Sequence, residues 1–251
     1  VHDRMIFLGK LLGSNFITKS TTSLLFSYSN KKLEQDILGI KFNNPIGLAA
    51  GFDKNADITQ ILPYIGFGFA EVGSVTGEPC EGNPKPRLWR LKKSEGLVVY
   101  YGLKNKGCEI IEKKLKTKKF NIPIGVSIAK TNCKETVDKT EGINDYVKAF
   151  SKLKDIGSYI TINISCPNVF GGLPFTKAED LDDLLTEIEK TPYDKPIFLK
   201  LTPDLNTKEI DDLINVCNNH KVDGFICTNL TKNRENPEVK KYLKDTDIKE
   251  V

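Results

Sequence analysis

After residue 36 the chain repeats one pattern: a short apolar run, a few small or polar residues, and then a longer amphipathic segment. Six of these runs are apolar nearly throughout, which predicts strands buried on both faces of a sheet. They span 45–50, 67–75, 124–129, 159–164, 197–201 and 224–228. Helical periodicity is found over 109–115, 144–153, 180–189 and 208–218, with Asp180 and Thr207 as predicted N-caps. Strands that alternate with helices indicate parallel βα units.

Two architectures are built from such units, an open doubly wound sheet and a (β/α)8 barrel. The first run leads into AAGFDK over 49–54 and lacks the Gly-rich dinucleotide fingerprint. Polar side chains follow nearly every run, as a barrel with its site at the C-terminal face requires. They are Lys54, Ser74, Thr76, Lys130, Asn163, Lys200, Thr202, Thr228 and Asn229. We therefore predict an α/β fold of the TIM-barrel type, of which this chain supplies six of the eight strands.

Residues 1–35 carry a different pattern from the rest of the chain. Apolar residues fall near one helical face in two short stretches separated by a polar turn. We expect two amphipathic helices, which either cap the main domain or lie on a membrane surface. The predicted organisation is thus a helical extension over 1–35 and a partial barrel over 36–251, from which the C-terminal strands are missing.

Composition excludes several classes of function. The 37 basic and 33 acidic residues leave a net charge of +4, which gives little reason to expect a nucleic-acid partner. No apolar run approaches the roughly 18 residues that a membrane span needs. The six cysteines and two histidines lack metal-ligand spacing, so we expect free thiols and no metal site.

The sequence NISCPN over 163–168 is the most informative stretch for chemistry. It leaves a buried strand at Asn163 and places Cys166 between two amides, on a loop at the top of the predicted barrel. A thiol titrates near 8.5 and is easily tuned, which suits a base or a nucleophile. The amides of Asn163 and Asn168 both donate and accept, which suits a planar heterocycle with alternating C=O and N–H groups. The alternative is a structural turn with a buried cysteine.

Lys54 and Lys200 each follow an apolar run. At such a position a lysine can bind a carboxylate, form a Schiff base or hold an electron-rich cofactor, or it can be a solvated surface charge. The Pro-rich basic loop over 82–90 either shapes the site or crosses the top of the barrel. His220 lies in a polar stretch and is expected to be solvated.

Several motifs, in order along the chain, resemble the dihydroorotate dehydrogenase family, and specifically its membrane-associated, quinone-reducing class. The motifs are NPIGLAAGFDKN over 44–55, EVGSVT over 71–76, GNPKPR over 82–87, NISCPN over 163–168, KLTPD over 200–204 and DGFICTN over 223–229. The helical extension also matches the quinone class, whose N-terminal helices form a membrane-facing tunnel.

The resemblance implies FMN as the cofactor and oxidation of dihydroorotate to orotate in pyrimidine (UMP) biosynthesis, with a quinone as electron acceptor. It implies FMN contacts at Ala50, Gly51, Ser74, Asn163, Lys200 and Thr228. The implied substrate contacts are Lys54, Asn163, Asn168 and Asn229. Cys166 would be the base that takes a proton from C5, while hydride leaves C6 for flavin N5, and Lys54 would assist. The implied location is peripheral, on the cytoplasmic face of a bacterial cell membrane or on the inner mitochondrial membrane.

The chain departs from the family pattern at four positions. Cys166 stands where the quinone class usually has Ser, Val99 and Lys104 replace amides of the substrate loop, and Leu230 replaces a hydroxyl residue. Lys104 could compensate by pairing with a carboxylate, or the substrate is a related dihydropyrimidine with a different acceptor.

Other functions also fit parts of the pattern: a Schiff-base enzyme using Lys200, or a truncated barrel without activity. In barrels of this type the loops after strands seven and eight hold a phosphate through backbone N–H groups. The sequence supplies neither loop, so we expect the 251-residue polypeptide to bind FMN weakly or not at all.

Overall fold

The computed structural model describes residues 2–243; residue 1 and residues 244–251, the outer ends of the two predicted units, lie outside the described residues. The elements up to the second hairpin are α1 (His2–Leu12), α2 (Phe16–Phe26), β1 (Gln35–Ile37), β2 (Ile40–Phe42), β3 (Gly47–Leu48), β4 (Phe69–Val75), β5 (Leu88–Leu91) and β6 (Gly96–Val99). Then follow α3 (Cys108–Lys116), β7 (Ile124–Ile128), α4 (Lys139–Leu153), β8 (Tyr159–Asn163), α5 (Ala178–Glu189), β9 (Ile197–Leu201), α6 (Thr207–Asn218), β10 (Gly224–Cys227) and α7 (Pro237–Tyr242).

The six predicted apolar runs form one parallel sheet. The strand order β3-β4-β7-β8-β9-β10 follows the order of the chain without reversal. A doubly wound sheet reverses its order at a switch point, whereas a barrel adds each strand beside the last. The sheet is therefore the six-stranded part of a TIM-type barrel, and the predicted fold class is confirmed.

The helices α3 to α6 pack on the outer face of this sheet. All five residues of β7 and all five of β8 are buried, because helices cover one face and the barrel interior lies behind the other. The largest fully buried side chains include Phe150 of α4 and Leu181 of α5. This apolar layer fixes the strands, and hence the loops that follow them.

The predicted helix starts were wrong by a few residues. Asp180 lies inside α5 and forms an ion pair with Lys139 at 2.7 Å instead of capping the helix. The N-cap of α6 is Asn206, one residue before Thr207. Asn206 accepts the Glu209 N–H at 3.0 Å, and the Glu209 carboxylate accepts the Asn206 N–H at 2.8 Å. This reciprocal capping box satisfies two free N–H groups, which a single threonine hydroxyl would not do.

His220 is not solvated, contrary to the prediction. Its side chain is 9% exposed and lies between two carboxylates of α5. Nε2 is 3.1 Å from Asp182 Oδ1, and Nδ1 is 3.2 Å from Glu189 Oε2, without the alignment of a hydrogen bond. The imidazole therefore ties the turn after α6 to α5.

The N-terminal helices pack on the barrel by one side only. A Cβ at Gly9 would lie 2.8 Å from the Ile58 side chain, so α1 approaches the body closely. Lys10 of α1 also forms an ion pair with Asp57 at 2.9 Å. The opposite side leaves large apolar side chains exposed: Phe7, Leu11, Phe16, Ile17, Leu24, Leu25 and Phe26. Within residues 2–243, none of the helices has the length and apolar character to span a bilayer.

Two antiparallel hairpins were absent from the predicted pattern. β1 pairs with β2, and β5 pairs with β6, and their residues are mostly exposed or half-buried. These strands are antiparallel and pair within their own hairpin, so they do not form the βα units on which the prediction was based. The second hairpin includes part of the basic loop over 82–90 and stands over the C-terminal ends of the strands.

Candidate active site

A cavity of about 700 Å³ lies at the C-terminal ends of the parallel strands. Every predicted site residue except Thr228 lines it. These residues are Ala50, Gly51, Lys54, Ser74, Asn163, Cys166, Asn168, Lys200 and Asn229. Thr228 follows the edge strand β10, where it is exposed and donates to the Asn229 carbonyl at 3.1 Å. The structure therefore brings together residues from distant parts of the chain and leaves Thr228 outside.

A chain of polar groups crosses the floor of the cavity from strand to strand. Asn163 at the end of β8 donates from Nδ2 to Ser74 Oγ at 2.7 Å, and Ser74 Oγ is 2.7 Å from Ser127 Oγ. Ser127 lies within β7 and is fully buried. It was not predicted as a site residue, and the one signal for it along the chain is a hydroxyl inside an apolar run. The two amide hydrogens of Asn163 are thus divided between Ser74 and the cavity.

Lys200 stands beside Asn163 in the register of β8 and β9. Its side chain is 9% exposed, and its ammonium has no hydrogen-bond partner among residues 2–243. Glu71, also buried, is the nearby opposite charge. Burial raises the pKa of Glu71, while the Thr161 hydroxyl at 2.8 Å and the Lys200 charge oppose the shift. The Lys200 ammonium therefore lies at the cavity with donors available for a ligand.

Lys54 approaches the cavity from a turn that Asp53 builds. The buried Asp53 carboxylate accepts the Asp57 N–H at 2.6 Å and the Ile58 N–H at 2.9 Å. Lys54 Nζ lies 3.7 Å from the centre of the Tyr101 ring. Burial lowers the pKa of Lys54 to about 8, although the Cys166 thiol beside it acts in the opposite direction.

Cys166 is half-buried on the loop after β8. Burial raises the pKa of its thiol, while the Asn168 N–H and the charges of Lys232 and Lys54 act to lower it. The thiol is therefore mostly protonated at neutral pH in the ligand-free site. An incoming group that needs a base must share this pocket with the Lys54 ammonium.

The amide groups around the cavity are partly used by the protein itself. Asn168 Nδ2 donates to the Val99 carbonyl at 2.8 Å, and Asn229 Nδ2 donates to the Ser165 carbonyl at 3.0 Å. Asn229 Oδ1 accepts the Leu230 N–H at 2.8 Å. An amide has two donors and two acceptor positions, so both side chains keep an acceptor for a ligand. These contacts fix which end of each amide faces the cavity.

Three of the four residues that depart from the family pattern lie at the cavity. Cys166, Val99 and Leu230 line it, whereas Lys104 does not. Lys104 instead forms an ion pair with Glu81 at 3.0 Å, and both side chains are exposed. In this structure the carboxylate that Lys104 binds belongs to the protein, and its pairing with a ligand carboxylate stays a prediction.

The side of the cavity nearest α1 was not predicted. His2 and Met5 of α1, with Leu88 and Arg90 of β5, form much of this wall. His2 Nε2 lies 2.8 Å from the Phe52 carbonyl, which connects the start of α1 to the Lys54 turn. Only the Pro-rich basic loop gave a sequence signal for this wall.

A second cavity of about 490 Å³ lies in the interior of the half-barrel. Its lining is mainly apolar and includes Phe69, Tyr159 and Phe198. Ala50 and Lys200 line both cavities, so the two spaces meet at these residues.

Comparison with known proteins gives one consistent result. The family model described as "Dihydroorotate dehydrogenase" matches residues 32–247. A Bradyrhizobium protein named "Dihydroorotate dehydrogenase (quinone)" is 39% identical over 214 residues, covering 82% of this chain and 57% of the relative. The Bartonella tribocorum protein of the same name is 40% identical, covering 82% and 58%. The chain therefore spans less than two thirds of the length of these curated relatives.

Solved structures are similar over nearly the whole chain. The ligand-free DHODH from Eimeria tenella has a TM-score of 0.82 and 26% identity, covering 98% of this chain and 72% of that one. The complex of the Eimeria tenella enzyme with ferulenol has a TM-score of 0.80 and 26% identity, covering 98% and 69%.

Proposed function

This chain belongs to the dihydroorotate dehydrogenase family, and from that premise we propose that it oxidises dihydroorotate to orotate in pyrimidine biosynthesis. One observation carries the proposal: Lys54, Cys166 and three cavity-lining asparagines surround a single cavity of suitable size. A fixed cation, a thiol and oriented amides are the groups that a carboxylated, planar dihydropyrimidine would need.

The residues at the inner end of the cavity fit FMN. Lys200 offers an ammonium that lacks a hydrogen-bond partner among the described residues, and Ser74 and Asn163 offer polar groups beside it. A Cβ at Gly51 would meet no atom within 4 Å, so there is open space for a ring against this backbone. We propose Ala50, Gly51, Ser74, Asn163 and Lys200 as the FMN contacts; Thr228 has the weakest support, since it lies outside the cavity. Bound FMN would accept the hydride.

Lys54 would bind the substrate carboxylate. Its ammonium lies at the cavity wall and is oriented by the Tyr101 ring. Asn163 retains a donor, and Asn168 and Asn229 retain acceptors, which complements the alternating C=O and N–H groups of the substrate ring. These contacts would place C5 toward Cys166.

Cys166 would act as the general base. Its thiolate would take the proton from C5 while hydride leaves C6, so that the C5–C6 bond becomes the double bond of orotate. The nearby Lys54 charge supports the thiolate, whereas burial opposes it. Deprotonation is therefore the step most sensitive to the surroundings of this loop.

We also propose a quinone as the electron acceptor and peripheral membrane contact through residues 1–35, with residues 36–251 as the catalytic unit. The exposed apolar side chains of α1 and α2 support membrane contact. The Met5, Leu88 and Leu97 side chains in the cavity wall support an apolar approach from the same side. The implied locations are the cytoplasmic face of a bacterial membrane or the inner mitochondrial membrane.

The test is anaerobic reduction of the flavin by dihydroorotate. Cys166→Ala should abolish bleaching of the flavin absorbance while FMN stays bound, and Cys227→Ala, which changes an exposed cysteine, should bleach like wild type. Undiminished bleaching by Cys166→Ala would place the base elsewhere. The measurement uses a chain of the full length of the curated relatives, and such a protein that never acquires a flavin spectrum, even in saturating FMN, would remove the proposal.

A related dihydropyrimidine is the second candidate substrate, because Val99 and Leu230 line the cavity with apolar groups. Dihydrouracil lacks the carboxylate that Lys54 would bind. Bleaching by dihydroorotate but not by dihydrouracil, with loss of that preference in Lys54→Met, supports the first candidate. The reverse preference in wild type would support the second.

A further inference from the structure

The loop that carries Cys166 is held at its far end by an amide from a neighbouring loop. Asn132 follows β7 and belongs to none of the motifs that define the site. Its Oδ1 accepts the Phe170 N–H at 2.8 Å. Its Nδ2 donates to Asn83 Oδ1 at 2.9 Å and to the Gly102 carbonyl at 3.2 Å. One side chain therefore uses both of its donors and an acceptor to join three segments.

Asn83 continues the connection back to the same loop. Its Nδ2 donates to the Asn168 carbonyl at 3.0 Å, and its backbone N–H donates to the Tyr101 carbonyl at 3.1 Å. Asn83 is 8% exposed, so water has little access to replace these bonds. Asn132 and Asn83 thus grip the loop at Phe170 and at Asn168, on the C-terminal side of Cys166.

Closer to Cys166 the loop is also held by Asn168 Nδ2, which donates to the Val99 carbonyl at 2.8 Å, and by Asn229 Nδ2, which donates to the Ser165 carbonyl at 3.0 Å. Its far end, beyond Phe170, is built on two glycines. Gly171 and Gly172 follow directly with φ of 75° and 69°, in the conformationally permissive left-handed region. Lys130 Nζ adds one further bond, to the Phe170 carbonyl at 2.9 Å. Neither Asn132 nor Asn83 lines the cavity, so neither would touch a bound substrate.

We propose that Asn83 and Asn132 form an amide latch that positions Cys166 and Asn168 over the cavity. The two are positioning residues, and their role rests on the proposed function in that Cys166 is the base and Asn168 a substrate contact. Loss of either amide leaves its partner unpaired in a poorly hydrated place, which favours release of the loop.

The first experiment measures how fast iodoacetamide alkylates Cys166, resolved by peptide mass spectrometry. Asn132→Ala should raise this rate about tenfold. The reason is that losing these hydrogen bonds shifts the equilibrium between the closed and open loop by about that factor. The exposed Cys227 is the internal reference and should not change. Asn121→Ala is the matched control, since it removes an exposed amide that donates to the Tyr64 hydroxyl at 3.3 Å, away from the Cys166 loop.

A double-mutant cycle separates a latch from two independent effects. Asn83→Ala alone should raise the rate by a similar factor, and the double variant should react no faster than the quicker single variant. Rates that multiply in the double variant, or an unchanged rate in folded Asn132→Ala, would overturn the proposal. If Asn83→Ala does not fold, the Cys166 alkylation rates of Asn132→Ala and Asn121→Ala still test the proposal, and equal rates in the two variants would overturn it.

The pH dependence of alkylation gives a readout that a purely structural role would not move. Release of the loop removes the burial that raises the thiol pKa, so the profile of Asn132→Ala should shift toward the ordinary value near 8.5. Alkylation needs no turnover. If the wild type fails to oxidise dihydroorotate, the proposed function is removed, and the alkylation rates still test the latch. If the wild type turns over normally but Asn132→Ala is alkylated at the wild-type rate, the latch alone is removed.

Discussion

Cys166 and Lys54 line the same cavity, and burial shifts the pKa of each group in the direction that favours its uncharged form. The Cys166 pKa is raised, and the Lys54 pKa is lowered to about 8. The active forms of the two groups are therefore favoured at opposite ends of the pH range. Cys166 must lose its proton to act as a base, whereas Lys54 must keep its proton to bind a carboxylate.

This conflict predicts an unusual pH profile for reduction of the flavin by dihydroorotate. The rate at saturating substrate should climb with pH beyond about 8.5, the ordinary thiol pKa, because more thiolate forms. KM should rise above pH 8, as Lys54 loses its charge. Stopped-flow measurements in Lys54→Arg should lack the rise in KM, since arginine stays charged. A KM that is flat in wild type would contradict the role given to Lys54.

Asp53 gives a second prediction at the residue scale. Its two carboxylate oxygens accept the N–H groups of Asp57 and Ile58 and hold the turn that carries Lys54. Asp53→Asn would place an NH2 group against one of these donors and should lower the free energy of unfolding by about 2 kcal/mol. Urea unfolding measures the loss, with the exposed Asp36→Asn as the control. Equal stability of the two variants would count against this account of the turn.

Most cavity residues could be predicted because they sit in motifs at strand ends. Lys54, Asn163 and Lys200 followed apolar runs, and parallel strands bring such positions to one face. Thr228 also follows an apolar run, but that run forms the edge strand β10, which has a neighbouring strand on one side only within residues 2–243. The role of Asn132 depends on distances between three loops, which no spacing along the chain reveals.

At the scale of elements, α5 and the turn after α6 are joined by the half-buried His220. Burial acts to lower the pKa of this imidazole, but the Asp182 and Glu189 carboxylates outweigh it and raise the pKa above its ordinary value. A raised pKa in the folded state stabilises fully below the unfolded value of about 6.5, and the effect is lost as pH rises through the folded pKa.

His220→Gln should therefore lower the free energy of unfolding by about 1 kcal/mol near pH 6. The difference from wild type should shrink as the pH is raised, because neutral imidazole no longer attracts the carboxylates. Urea unfolding at several pH values measures this, with His2→Gln as the control at the other histidine. A difference that grows with pH would show that the ionic contacts do not stabilise the fold.

The long barrel strands and their helices could be predicted because burial on both faces leaves a continuous apolar run. The hairpin of β5 and β6 was missed because its two strands pair with each other, have little buried surface and form no βα unit. The cap of α6 was missed because Asn206 and Thr207 are both good N-cap residues, and only the reciprocal bond with Glu209 decides between them.

At the scale of the whole molecule, the sheet ends at β3 and β10, and no further strand pairs with either edge within residues 2–243. Barrels of this type hold a phosphate by loops after the seventh and eighth strands. We therefore predict that the 251-residue polypeptide binds FMN weakly. Fluorescence titration and gel filtration in FMN should reveal rapid release, and a stoichiometric, slowly dissociating complex would contradict this expectation.

The open edge of β10 has a practical consequence. Among residues 2–243 no strand pairs with its outer edge, and the interior cavity behind it has apolar side chains that another parallel strand would cover. The chain is thus suited to fragment complementation, in which a second polypeptide carrying two βα units docks along β10. Recovery of flavin absorbance on mixing would make the pair a split reporter, with colour appearing only where the two pieces meet.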